Sequence, residues 1–158
     1  AAHRPGVAGV TIYEDTTLAV GIRYRIFLDD WNLGHFSSCS GLGAEVTVET
    51  REEGGNNGSV WQFPTRLRFP NVTLTRPLNR DSAKIGEWFT SMVTSGYTFG
   101  TATIDAMTAQ GTEVARFGLM GIVPVRWSGP TLSTTDSTVV VESVEIAHHG
   151  FVPPKAAG

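Results

Sequence analysis

Apolar and polar residues alternate along much of this chain, which is the pattern of β-strands with one covered face. Strands are predicted at 23–28, 45–49, 60–63 and 71–76. A Pro at position 64 is expected to end the third of these strands. Asp29-Asp30 closes the first, and the Gly- and Asn-containing segment 31–34 is predicted as a turn, followed by a short segment at 35–38.

Three more strands are predicted in the second half of the chain. Segments 99–108 and 113–127 flank a turn at 109–112, and a last strand follows at 138–147. The run 119–123 is continuously apolar, so both of its faces are expected to be covered. The loop 52–59 is rich in Gly and Asn, and regular structure is not expected there.

One amphipathic helix is predicted at 82–95. Its apolar residues recur at i, i+3, i+4, i+7 and i+8, which places them in one stripe. Asp81 or Asn79 is the expected N-cap, and Gly96 is the expected stop. The helix is predicted to lie on a β core through Ile85, Trp88, Phe89, Met92 and Val93.

The length of 158 residues predicts a single domain, with an extended N-terminal arm at 1–18 and a loose tail at 152–158. Charged residues make up 17% of the chain and the net charge is −3, which argues against a basic nucleic-acid-binding surface. No apolar run approaches the ~20 residues of a membrane span. The first residues contain no apolar signal core, so synthesis in the bacterial cytoplasm without a signal peptide is expected.

Candidate chemistry is sparse. His148 and His149 are adjacent on a predicted strand, so their side chains point to opposite faces and do not easily bind one metal ion. Cys39 is the only cysteine, and it would act as a nucleophile only with a base and an orienting partner. Its place between Ser38 and Ser40 at a predicted strand–turn junction is typical of a small, buried thiol. Phosphate-binding and dinucleotide-binding motifs are absent. The sequence therefore predicts no enzyme, no catalytic residue, no metal site and no cofactor.

Several motifs between positions 40 and 76, and two near the end, follow one another in the order of a known family. They are Ser40-Gly41-Leu42, the alternating run 45–49, Arg51-Glu52-Glu53-Gly54-Gly55-Asn56-Asn57, Phe63-Pro64, 69–76, 124–130 and 144–148. This order resembles the tail tube family of contractile phage tails and phage-tail-like contractile injection systems. The chain departs from the usual family pattern at Thr50, Glu53, Thr65 and Pro77.

The resemblance implies a mainly β fold, with two packed antiparallel sheets forming a small barrel or sandwich and one flanking α-helix. It implies a structural subunit of an inner tube, in which hexameric rings stack around a hollow lumen for cargo. The implied partners are further copies of the chain, contractile sheath subunits, baseplate and spike hub proteins, and protein cargo in the lumen. The resemblance fits a phage, an extracellular injector and an intracellular injector alike.

Candidate contact residues follow from exposure and loop composition. Lumen-facing candidates are Glu45, Thr47 and Glu49, with Val46 and Val48 expected to pack inward. The N-terminal arm is one candidate contact between subunits. The other candidates are Glu52, Glu53, Gly54, Gly55, Asn56, Asn57, Trp127, Ser128 and Gly129.

Two alternatives stay open at this point. One is an initiator or adaptor ring that joins the tube to the spike and baseplate, which would bind a different protein on one face. The other is a monomeric β-sandwich binding module, for which Trp31 and Trp61 would supply an aromatic platform.

Overall fold

The computed structural model describes residues 3–5, 10–13, 21–52, 54–55, 58, 60–96, 100–129 and 140–154. Within these residues the chain forms twelve strands and one helix. They are β1 (His3–Pro5), β2 (Val10–Tyr13), β3 (Arg23–Leu28), β4 (Trp31–Phe36), β5 (Ser38–Ser40), β6 (Glu45–Glu52), β7 (Val60–Arg68), β8 (Val72–Pro77), α1 (Ser82–Thr94), β9 (Gly100–Met107), β10 (Glu113–Ser128), β11 (Val141–Ala147) and β12 (Phe151–Val152).

Two antiparallel sheets share the long strand β10. The ladder runs in the order β4-β3-β9-β10-β11-β8-β5, with β2 and β12 also pairing to β10. Register shifts lie between Met120 and Ile122 and between Pro124 and Arg126, where β10 passes from one sheet to the other. The order of hydrogen-bonded strands begins at β4 and ends at β5, so the arrangement is sandwich-like and not a closed barrel. The predicted mainly β fold of packed sheets with one helix is confirmed.

The core lies between the sheets and is closed on one side by α1. Alternate residues of the strands point inward, as the period of two requires. The helix adds Ile85, Trp88 and Met92 to this core. The buried apolar residues of the strands in this cluster are Ile26, Leu28, Leu33, Phe36, Val72, Leu74, Ala102, Ile104, Leu119, Ile122, Val144 and Ile146.

Helix α1 begins and ends within one residue of the predicted bounds. Asp81 occupies the N-cap position but makes no side-chain capping bond, and Gly96 follows the helix with φ +76°. Phe89 packs edge-on against Trp88, with ring centroids 5.1 Å apart. Val93 is 56% exposed, so the buried stripe is narrower than the sequence pattern suggested.

Three local predictions are wrong. Segment 31–34 belongs to strand β4 and not to a turn. The chain reverses at Asp29-Asp30 alone, where Asp29 has φ +52°. Gly34, with φ +84°, accommodates a bulge in β4. Strand β7 continues past Pro64 to Arg68. Pro64 stands beside a register shift, and β7 is hydrogen-bonded along one edge only in its two-stranded sheet, so a residue without an N–H donor is tolerated there. Met120 is 41% exposed, so the run 119–123 is not covered on both faces.

The short strands β5 and β12 were not predicted. The described parts of the predicted arm are the strands β1 and β2, and β2 pairs with β10. The rest of segment 1–18 and positions 155–158 of the predicted tail lie outside the described residues.

Candidate assembly surfaces

A hairpin formed by β6 and β7 stands apart from the sandwich. The two strands pair with each other in a sheet of their own, and every residue in them is exposed. Val46 is 49% exposed and Leu67, its partner across the ladder, is 61% exposed. The expectation that Val46 and Val48 pack inward is therefore wrong for the single chain.

The ladder register sorts the hairpin side chains onto two faces, because directly paired residues share a face. We call the first the apolar face: it carries Val46, Val48, Val60, Pro64 and Leu67, with the polar Thr50, Gln62 and Glu52 towards the tip. We call the second the charged face. It carries Glu45, Thr47, Glu49, Arg51, Trp61, Phe63, Arg66 and Arg68.

The charged face holds the three residues that the sequence singled out for a lumen, Glu45, Thr47 and Glu49. Three arginines accompany them, and the guanidinium of Arg51 lies 6.0 Å from the centroid of the Phe63 ring. These arginines were not recognised from the sequence as part of the surface. Alternation within β7 indicates that Arg66 and Arg68 share a face, but the bulge at the Thr47–Val48 step shifts the register and obscures their pairing with β6.

The hairpin leaves the sandwich where β8 begins. Gly41 has φ +89°, and the carbonyl of Asn71 occupies the space that a Cβ atom at position 41 would need. The amide Nδ2 of Asn71 donates a hydrogen bond of 2.9 Å to Oε1 of Glu145 on β11. Gly41 and Asn71 therefore fix the root of the hairpin against the second sheet.

The other end of β8 holds a buried ion pair. Nε of Arg76 donates to Oε1 of Glu142 over 2.5 Å, and the two side chains are 1% and 0% exposed. The guanidinium also donates from Nη1 to the carbonyl of Leu33 and lies 4.4 Å from the Phe36 ring centroid. Its Nη2 atom is buried and has no hydrogen-bond partner among the described residues.

Glu142 collects donors from several elements. Besides Arg76, it accepts a hydrogen bond of 2.7 Å from Oγ of Ser82 in the first turn of α1. Nε1 of Trp127 donates to Oε2 over 3.5 Å. The buried carboxylate therefore links β8, β10 and β11 to the start of α1.

The remaining candidate contact residues are spread over two places. Glu52, Gly54 and Gly55 are exposed at the hairpin tip, and Glu53, Asn56 and Asn57 lie outside the described residues. Trp127 lies against α1, with its ring 6.5 Å from that of Phe89, and Ser128 and Gly129 are exposed beside it. Trp31 and Trp61 belong to different sheets, so the described structure gives them no common platform.

The family model of the T4-like virus tail tube protein gp19 matches residues 13–152. The chain belongs to this tail tube family. Among solved structures, it is similar to the sheath-tube complex of the extracellular contractile injection system PVC in the extended state. That match has a TM-score of 0.70 and 18% identity and covers 88% of this chain and 92% of the other.

Two further solved structures share the fold. The sheath/tube terminator of the PVC system has a TM-score of 0.70 and 18% identity, with coverage of 89% of this chain and 98% of the other. The anti-feeding prophage baseplate has a TM-score of 0.66 and 17% identity, with coverage of 87% and 95%. No curated protein sequence gives a significant match.

The described part of the tail tube chain contains no group of three or more His, Cys, Asp or Glu side chains that could hold a metal ion. Among the described residues, no helix is long and apolar enough to cross a membrane. Burial raises the pKa of the Cys39 thiol to about 12, so the thiolate that reacts as a nucleophile is scarce at neutral pH.

A second buried charge cluster lies on the first sheet of the tail tube fold. Asp105 on β9 accepts hydrogen bonds from Arg116 Nε at 2.6 Å and from Arg25 Nη2 at 2.9 Å. Burial alone raises the pKa of a carboxyl group, but the hydrogen bonds from Arg116 and Arg25 outweigh it and hold the pKa of Asp105 below its ordinary value. The cluster joins β3, β9 and β10 through ionised groups at neutral pH.

His148 occupies an aromatic site between β11 and β12. Its ring centroid lies 5.4 Å from those of Phe69 and Phe151. Its Nε2 atom is buried, and no hydrogen-bond partner for it lies in the described part of the chain. Burial lowers the pKa of His148, and the carbonyl groups of Gly150 and Pro70 only partly offset this effect. The neutral imidazole is therefore the form that fits the folded chain.

We expect the tail tube chain to lose stability as the pH falls below about 6.5, because the unfolded state binds a proton at His148 more readily than the folded state does. Replacing His148 with Phe should remove this part of the pH dependence. Urea unfolding at pH 7.5 and at pH 5.5 measures the difference, with His35→Gln, an exposed histidine, as the control. An unchanged difference between the two pH values in His148→Phe would contradict the assignment.

Proposed function

We propose that this tail tube protein is the structural subunit of the inner tube of a contractile injection system or contractile phage tail. Six copies form a ring, and rings stack into a hollow tube that carries cargo. The apolar face of the β6–β7 hairpin is the observation that carries the proposal. A soluble single chain rarely leaves a contiguous apolar strand surface in water, and such a surface commonly marks a contact with another protein.

The hairpin also supplies unpaired strand edges. Both β6 and β7 have one edge without a ladder in the described chain. In a ring, neighbouring copies cover these edges and the apolar face. Unpaired strand edges that would otherwise promote aggregation are then no longer exposed. In a symmetric ring every copy has the same two neighbours, so the same contact surfaces are used by all six copies.

The charged face then faces the lumen. Glu45, Thr47 and Glu49 keep that surface hydrated, and the arginines on β7 balance the two carboxylates. The same face also exposes Trp61 and Phe63, so the wall is charged and hydrated but carries two aromatic side chains that cargo could contact. Protein is the cargo that we propose. The wall has no strong electrostatic field of one sign, so it neither selects nucleic acid nor rejects it.

The role is mechanical and not enzymatic. The tube is driven outwards when a surrounding sheath contracts, so the energy comes from the sheath. The proposed partners are sheath subunits on the outside and baseplate or spike hub proteins at the end of the tube. The similarity in fold to chains from a sheath-tube complex and from a baseplate supports this choice of partners.

Negative-stain electron microscopy of the purified, concentrated protein tests the proposal. We expect hollow tubes of uniform width and unlimited length, built from six-fold rings. Single rings that never stack would favour the initiator or adaptor ring. Monomers at every concentration up to the solubility limit would contradict self-assembly and favour the binding module.

A further inference from the structure

A basic pocket lies at the end of the sandwich opposite the root of the hairpin. It is formed where β8 ends, β3 begins and β4 ends, and it encloses about 310 Å³. Strand β8 starts just after the hairpin root and runs to the pocket, a distance of about 17–20 Å at ~3.3 Å per residue. The hairpin and the pocket therefore occupy opposite ends of one molecule.

The pocket has the chemistry of a carboxylate receptor. Arg23, His35 and Arg76 line it, together with the hydroxyl-bearing Ser37 and the amide-bearing Asn79. None of the described lining residues is acidic, and Arg23 makes no ion pair with a described residue. Basic groups beside hydrogen-bond donors are what a carboxylate needs when it leaves water.

The acidic groups near the pocket are already engaged. Glu142 accepts from Arg76, Ser82 and Trp127, as described above. Asp81 pairs with Lys84 over 2.9 Å, and the hydrogen bond from Lys84, with the charges of Arg76 and His35, lowers the pKa of Asp81. Beneath the pocket, Nη2 of Arg76 is a buried donor that no described residue accepts from. Arg76 is therefore paired with Glu142, whereas Arg23 and His35 at the exposed part of the pocket make no ion pair with a described residue.

We propose that this pocket receives the carboxylate of Glu52 from the next copy of the chain along the tube. The proposal rests on the tube function proposed above and specifies how one ring recognises the next. Glu52 is the last residue of β6, is exposed, and makes no ion pair with a described residue. The eight residues of β6 extend about 26 Å from the root, which brings Glu52 within reach of a neighbour.

The pocket also matches the surroundings of Glu52. Val60 pairs with Glu52 across the hairpin ladder and is exposed. The pocket has an apolar wall of Phe36, Pro77 and the exposed Leu78 beside its basic groups. An acidic and an apolar side chain on one face of the hairpin thus meet a basic and an apolar wall. A contact between opposite ends of identical molecules is heterologous and propagates without closing, as stacking requires.

Charge reversal tests the contact. Arg23→Glu and Glu52→Arg should each raise the protein concentration needed for tube formation by about tenfold or more, because like charges then meet at each of six contacts per ring. Rings should persist, since the contact lies between rings. The double variant Arg23→Glu with Glu52→Arg should return the required concentration to within about threefold of the unaltered chain.

The controls separate charge complementarity from net charge and from misfolding. Arg23→Glu combined with Glu87→Arg, an exposed residue of α1, restores the net charge but should not restore stacking. His35 is the second exposed basic residue of the pocket, so His35→Glu should reproduce the stacking defect of Arg23→Glu. Circular dichroism should show the same unfolding temperature for all these variants.

The outcomes distinguish the two proposals. Unaltered stacking in Arg23→Glu and in Glu52→Arg, or a double variant no better than the single ones, would overturn the pocket contact and leave the tube function in place. Failure of the unaltered chain to form rings or tubes would overturn the tube function, and the pocket contact with it.

Discussion

Replacing Glu142 with Ala is expected to lower the free energy of unfolding by about 3–5 kcal/mol, which is the usual cost of leaving one member of a buried ion pair without its partner. Arg76 would keep its positive charge at 1% exposure, beside the Leu33 carbonyl and the Phe36 ring. The hydroxyl of Ser82 would lose its acceptor at the same time. Urea unfolding followed by circular dichroism measures the loss.

Two further variants show whether the loss comes from the unpaired charge. Glu145→Ala removes a carboxylate from a partly exposed position of the same strand and should cost less than about 1 kcal/mol. Arg76→Met combined with Glu142→Leu removes both charges and should recover most of the stability that Glu142→Ala loses. If Glu142→Ala lowered the free energy of unfolding by less than about 1 kcal/mol, Arg76 would not be a buried charge that depends on Glu142 for compensation.

Replacing Leu67 with Glu is expected to abolish assembly while leaving the monomer folded. Leu67 is 61% exposed in the single chain, so the change should alter the unfolding free energy by only about 0.5 kcal/mol. In the assembled ring the new carboxylate would be buried against apolar side chains, at a cost of several kcal/mol per copy. Sedimentation velocity and electron microscopy should therefore find monomers under conditions in which the proposed function requires the unaltered chain to form rings.

Val93→Glu is the matched control for this experiment. Val93 is an exposed valine on α1, and its replacement adds the same charge at a position outside the hairpin. We expect this variant to assemble normally. If Leu67→Glu assembled as well as Val93→Glu, the apolar face of the hairpin would not be a contact between subunits.

The elements with strong periodicity could be predicted from the sequence. Helix α1 and strand β8 follow from regular spacing of apolar residues, which reflects a face covered by the core, and β9 and β10 follow from the turn between them. Strand β6 shows the same alternation, although its residues are exposed in the described chain. Strand β4 was not recognised because its asparagine and Gly34 are typical of turns, and only the ladder with β3 makes them a bulged strand. The short strands β5 and β12 contain too few residues to show a period.

The buried charges could not be predicted. Arg76 and Glu142 are 66 positions apart, and each looks like a solvated residue until the fold brings both to the start of α1. The apolar face of the hairpin was only half predicted. Alternation shows that Val46 and Val48 share a face, but a face covered by the same chain and one covered by another chain have identical sequence patterns.

The shared strand β10 has a mechanical consequence for the proposed tube subunit, which would be pushed along its axis. Its backbone is hydrogen-bonded to β9 in one sheet and to β11 in the other. A load applied to one layer therefore reaches the other along continuous covalent bonds and not only across the packed side chains. The two layers should deform together, so that each subunit responds to axial compression as one stiff body.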